Sequence, residues 1–152
     1  MTEVRVATTA ADVAAAYRIR ADVFVTEQGV PVDLERDDAD EQAEHLLAYD
    51  GEEPVGAGRL VVEPAGFEGT DPALGPVGHL GRLAVLPGWR GSGVGVALVR
   101  AIEDRARARG LGVVALSSQS YAVPFYERLG YAAYGPEFDD AGIPHRWMRR
   151  TV

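Results

Sequence analysis

Leu86-Pro87-Gly88-Trp89-Arg90-Gly91-Ser92-Gly93-Val94-Gly95 is the stretch on which the reading of this chain turns. Gly78 to Leu86 before it reads as a strand. Gly93 to Arg109 reads as a helix whose apolar stripe is Val94, Leu98, Val99, Ile102 and Ala106, with Gly110 as its stop. Small residues at 91, 92, 93 and 95 let a ligand approach several backbone N–H groups at the positive end of the helix dipole. Those amides have no intrahelical acceptor, which suits the turn to a pyrophosphate, and Arg90 can add a charge-assisted bond. A turn that merely packs helix on strand has the same composition, so its surroundings must decide.

Working outward, Thr2 to Ala7 is an expected strand, and Thr9 or Asp12 can cap an alanine-rich helix running through Tyr17 and Ile19 toward Phe24. Gly29 and Pro31 end it, and the acidic run 33–41 reads as an exposed loop or weak helix. His45 to Tyr49 and Val55 to Glu63 form a hairpin pair, and the Gly/Pro-rich 64–76 segment is a surface connection. Val113 to Leu116 is a buried strand, Val123 to Leu129 a short helix with Pro124 in its first turn, and Tyr131 to Tyr134 and His145 to Arg149 close the order β-α-β-β-β-α-β-α-β-β.

Composition narrows the function. The chain has 152 residues, 47% of them hydrophobic, which suffices for one domain with its own core. Without cysteine there are no disulfides, no thiolate metal sites and no cysteine-bound acyl intermediate, and no metal is called for. A formal charge of −8 argues against nucleic acid as the main partner and favours a cationic or neutral one. No long apolar run or secretory leader is visible, so a cytoplasmic protein without membrane attachment is expected. All basic residues are arginine, which excludes a lysine-dependent phosphate loop, and the G-x-G-x-x-G dinucleotide fingerprint does not fit either.

The remaining pattern, R-x-x-G-x-G at positions 90 to 95, resembles the GNAT superfamily of N-acetyltransferases, whose pyrophosphate loop reads Q/R-x-x-G-x-G/A. Leu83-Ala84-Val85 stands where that family's central strand precedes the loop. Phe125-Tyr126-Glu127-Arg128-Leu129-Gly130-Tyr131 resembles its A-x-x-F-Y-E-x-x-G-F block. Phe24 to Pro31 and Gly142-Ile143-Pro144-His145 look like the ElaA-like bacterial branch, so the resemblance spans essentially the whole chain. It implies a single α/β (α+β) GNAT-like domain over 1–152, with a mixed, mostly antiparallel sheet splayed at its two middle strands and flanked by about four helices. It also admits a homodimer.

What the resemblance implies chemically is transfer of acetyl from acetyl-CoA to the primary amine of a small molecule or peptide, by direct attack in a ternary complex. Acetyl-CoA would be held by Leu83, Ala84 and Val85 on the strand, by Arg90, Gly91, Ser92, Gly93, Val94, Gly95 and Val96 in the turn and helix start, and by Gln119 and Phe125. The Val85 N–H is the expected oxyanion donor. Tyr126 matches the tyrosine that relatives use as general acid toward the departing thiolate. For the base, His79, Glu27 and His145 are the open candidates, beside ordered water. Arg20, Phe24, Gln28, Arg59, Arg82 and His145 come from elements that border the family's acceptor cleft, and a cleft-facing Arg20 or Arg82 would point to an acceptor carboxylate. A CoA-sensing regulatory module without turnover is the competing reading, and acetylation of a protein amine a second.

Overall fold

The computed structural model describes residues 2–152. Among them a seven-stranded sheet has the order β1-β2-β3-β4-β5-β7-β6, in which only β4 and β5 run parallel. The strands are β1 Thr2–Val6, β2 Glu44–Asp50, β3 Glu53–Glu63, β4 Val77–Val85, β5 Val113–Gln119, β6 Ala132–Asp140 and β7 Ile143–Thr151. The helices are α1 Ala10–Arg20, α2 Val32–Glu35, α3 Val94–Ala108 and α4 Val123–Arg128.

Period-two alternation sorts the side chains onto two faces. On β2, Leu46 and Ala48 join the core under α3, while Leu47 and Tyr49 join the cluster under α1. Helices cover both faces, so the middle of β2 and β3 is an unbroken buried run, apolar apart from His45 and Arg59. The expected stripe of α3 is buried: Val94 and Ala106 at its ends, Leu98, Val99 and Ile102 between them. Glycine makes that contact possible, since a Cβ on Gly56 would stand 2.9 Å from Val94 and one on Gly58 2.9 Å from Ile102. α1 starts on Thr9, whose hydroxyl accepts the Asp12 N–H, and continues without a break into a π-helical turn over Ala21–Glu27.

The chain departs from the sequence expectations at three places. β5 runs on to Gln119. β6 continues past Gly135 and Pro136 to Asp140, because a register irregularity between Tyr134 and Phe138 absorbs the break, and Ala141 and Gly142, both at positive φ, form its tight turn into β7. The acidic 33–41 run is not a solvated loop: Glu35 and Asp40 are buried. Among the described residues no helix is long and apolar enough to cross a membrane.

Candidate active site

The site begins as a fork in the sheet. β4 and β5 pair only at Gly78 with Val114 and His79 with Ala115. Beyond that point β4 stays with β3 while β5 stays with β7 as far as Gln119 opposite His145. A local distortion accompanies the parting: the β3–β4 register shifts between Ala57 and Arg59, and Arg82 opposite it adopts φ 51. A left-handed non-glycine residue costs about 1–3 kcal/mol and persists only when its surroundings hold it. Here the Arg82 guanidinium donates to the Glu35 carbonyl at 3.0 Å and to the Asp37 carboxylate at 3.2 Å. The fork opens into a cavity of ≈ 660 Å³.

On the β5 side, the polar groups of β4 beyond the fork are left without a strand partner. Leu86 donates its N–H to the Val55 carbonyl at 2.9 Å, so by alternation the N–H and C=O of Val85 point into the gap. The Val85 carbonyl takes the Nε–H of Arg90 at 3.0 Å. Gly91 and Gly93, at φ 78 and 91, bend the turn into α3. Ala97 makes the bond to the Gly93 carbonyl, and the amides of Val94, Gly95 and Val96 precede it with no side-chain cap. Val94 contributes by its backbone alone, because its side chain is core. Gly95 admits Phe125, whose ring edge would lie 3.3 Å from any added Cβ. Trp89, which the sequence reading passed over, braces the turn: its indole donates to Asp50 at 2.9 Å and its carbonyl accepts from the Ser92 hydroxyl.

On the α4 side, Tyr126 lines the cavity at 8% exposure, and its hydroxyl has no protein hydrogen-bond partner among the described residues. Burial raises its pKa, so the phenol stays protonated through the neutral range and is a donor, not a base. Leu83, Ala84, Val85, Arg90, Gln119 and Phe125 line the same cavity, as do Phe24, Gln28, His79, Arg82 and His145. Gln119 donates to the Gln28 side chain at 2.7 Å, joining β5 to the segment after α1 across the cleft.

Several expected roles change in the structure. Arg20 does not line the cleft; it is 1% exposed, gripping Glu35 and Asp40, each at 2.7 Å. Arg59 binds Asp37 and Asp40 at 2.7 and 2.8 Å, and Arg82 reaches Asp37. These arginines and acids neutralise one another, which is why the acidic run folds inward and why no cation of the cluster is left over for an acceptor carboxylate. His79 was expected as a base, but burial, followed by the nearby Arg59 and Arg82 charges, pushes its pKa down to about 4. At neutral pH such an imidazole has little affinity for an ammonium proton. Glu27 is outside the cavity lining, clamped by both terminal nitrogens of Arg90 at 2.6 and 2.7 Å, and that cation lowers its pKa. The His145 Nδ1 sits 2.7 Å from the Ile143 carbonyl, so Nδ1 carries the hydrogen.

The far wall of the cleft was largely missed. Met148 packs under α3, so Trp147 and His145 face the opposite side of the sheet, where Phe138 joins them. The alternation within β7 carried that signal for Trp147. Phe138 was hidden behind Gly135-Pro136, which reads as a strand end.

The profile of the family described as "Acetyltransferase (GNAT) domain" matches residues 6–152. The uncharacterized N-acetyltransferase YjcF of Bacillus subtilis is 40% identical over 136 residues, 89% of each chain. Protein ElaA of Escherichia coli is 30% identical over 140 residues, 91% of this chain and 86% of its own. An acyl-CoA N-acyltransferase from Pseudomonas aeruginosa superposes with a TM-score of 0.79 at 27% identity, covering 99% of both chains.

Proposed function

The chain belongs to the GNAT acetyltransferase family, and from that premise we propose that it transfers the acetyl group of acetyl-CoA to the primary amine of a small molecule by direct attack in a ternary complex. Family membership supports acyl transfer from a CoA thioester in general. The finer reading is carried by one observation: the Val85 edge of β4, which has no strand partner on the β5 side, opens into the cleft, and Gly95 at the uncapped start of α3 adjoins Val85 and Phe125 of its lining. Orphan amides at a helix start bind a diphosphate, and an unpaired strand edge binds an extended, amide-bearing arm.

Acetyl-CoA supplies the activated acyl thioester; the chain's residues do the rest. The amides of Val94, Gly95 and Val96 hold the diphosphate, and Leu83 and Val85 hold the pantetheine arm. The Val85 N–H donates to the thioester carbonyl oxygen, where negative charge develops. Tyr126, kept protonated by burial, gives its proton to the departing sulfur. The amine's proton leaves through water, since His79 is too acidic when protonated and Glu27 is engaged by Arg90. Arg90 has to release either the Val85 carbonyl or Glu27 before it can face a phosphate.

The decisive experiment is an acceptor screen with detection of CoA thiol, run beside calorimetric titration of acetyl-CoA. Amine-dependent thiol release supports the transferase. Tight acetyl-CoA binding with no release for any amine in a broad panel favours the regulatory module instead.

A further inference from the structure

The acceptor half of the cleft has an unusual composition once its charges are paired off. Arg20, Arg59 and Arg82 meet Glu35, Asp37 and Asp40 in one closed network, which leaves Asp140 as the acceptor-side carboxylate outside it. Beside Asp140 the β6–β7 surface is aromatic. Phe138, His145 and Trp147 line the cavity along the β6–β7 hairpin, with centroids 5.9 Å apart for Phe138 and His145 and 6.1 Å for Phe138 and Trp147. Their planes differ by only 29° and 21° in those pairs, so the three rings stack as a row of near-parallel planes. A further flat ring can extend such a row.

The wall is built to keep that shape. Phe138 and His145 are register partners across the hairpin, and Trp147 is backed edge-on by Phe67, at 5.4 Å and 89°. The facing side of the cleft is apolar as well, with Phe24, Val30 and Leu34 among its lining residues. The fork that would present the thioester lies between the two sides.

We infer that the acceptor is an arylalkylamine: a primary amine on a short chain whose aromatic ring lies against Trp147 and Phe138 while the nitrogen reaches the thioester at the fork. This rests on the acetyltransferase reading above. The amine attacks the acetyl carbonyl, a C–N bond forms as the C–S bond breaks, the nitrogen's proton passes to water, and the thiolate takes a proton. An N-(arylalkyl)acetamide and CoA thiol are the products. Ring-on-ring contact supplies a preference over a saturated ring of the same size, because both bury similar area but only the aromatic one meets the wall's π faces favourably.

The test compares phenylalkylamines with spacers of one to four methylenes against the matching cyclohexylalkylamines and linear diamines. Thiol release gives kcat/KM, and quenching of tryptophan fluorescence reports binding. The wild-type protein should prefer phenyl to cyclohexyl by about tenfold at the best spacer, and Trp147→Leu should bring that ratio to about one and abolish the quenching. Phe138→Leu, which leaves the tryptophan in place, should lower the ratio to about threefold and guards against misfolding of the first variant. Turnover of diamines or cyclohexylalkylamines with no aryl preference, or a preference that survives Trp147→Leu, overturns the inference and leaves the transferase intact. No thiol release from any amine removes both.

Discussion

The two sides of the fork are built on different principles. On the α3 side the groups proposed to bind are backbone amides, presented by a glycine turn within ten consecutive residues, so the turn's backbone alone would make the site. On the other side the cleft is lined by side chains from the π-helical turn after α1, the acidic run, β3, β4, β6 and β7, placed by ion pairs and ring contacts between residues up to about eighty positions apart. The first kind of site tolerates change in everything except its backbone, and the second loses its shape with any single partner. Under the proposed transferase reading, a donor half fixed by its backbone beside an acceptor half built of side chains would let one chemistry serve different amines.

The largest effect should come from breaking the side-chain half. Arg20→Ala leaves Glu35 and Asp40 buried with a cation missing, and removal of one partner from a buried network costs about 3–5 kcal/mol. Urea denaturation should show that loss, and an unchanged midpoint would mean that the cluster is ornamental to the fold. The backbone half breaks differently. Gly93→Val puts a β-branched residue at φ 91 and distorts the amides without a steric clash, since nothing lies within 4 Å of an added Cβ. Acetyl-CoA affinity should fall by about a hundredfold or more while the far-ultraviolet circular dichroism stays native. Normal titration of that variant would take the diphosphate away from this turn.

Tyr126→Phe sharpens the comparison, because it touches neither half's architecture. It removes one hydroxyl that has no protein partner, so stability should hold while kcat falls by about a hundredfold with little change in acetyl-CoA affinity. If kcat is unaltered, the thiolate leaves without help from this residue.

The same contrast explains what the sequence made legible. The glycine turn, the α3 stripe and the Phe125-Tyr126 block could be read because each is local: the residues that interact are also adjacent or at helical spacing. The splay of β4 from β5 came through the family resemblance; its local correlate, the φ of Arg82, leaves no mark in composition. Nor could the fate of the acidic run be read, since an Asp or Glu looks solvated until an arginine fifteen or twenty residues away folds onto it. His79, one of the open candidates for the base, lines the cleft but sits in the wrong dielectric for that role, and composition does not report burial.

His79 therefore provides the smallest and sharpest prediction, one that depends on pH rather than on turnover. Its ring is covered by Phe67 and Trp147 at 5.0 and 5.6 Å, with Arg59 and Arg82 opposing its protonation, Asp37 favouring it, and the Glu63 carboxylate 3.7 Å away. In the unfolded chain it titrates at the ordinary value of 6.5, and in the folded protein at about 4. Between those values the unfolded state binds a proton that the folded state refuses, so the stabilisation present above pH 6.5 is lost as the pH falls toward 4, by about 3 kcal/mol. His79→Phe should flatten that part of the profile, whereas the loss at lower pH, where Asp40 and Asp37 surrender their depressed pKa values, should persist. A melting temperature that declines equally from pH 6.5 to 4 in both proteins would mean that the imidazole is solvated and could be a base after all. In the expected case kcat/KM instead climbs with pH toward the acceptor amine's own pKa, with no inflection from the enzyme, because the aromatic wall that shields His79 from water also disqualifies it from proton transfer.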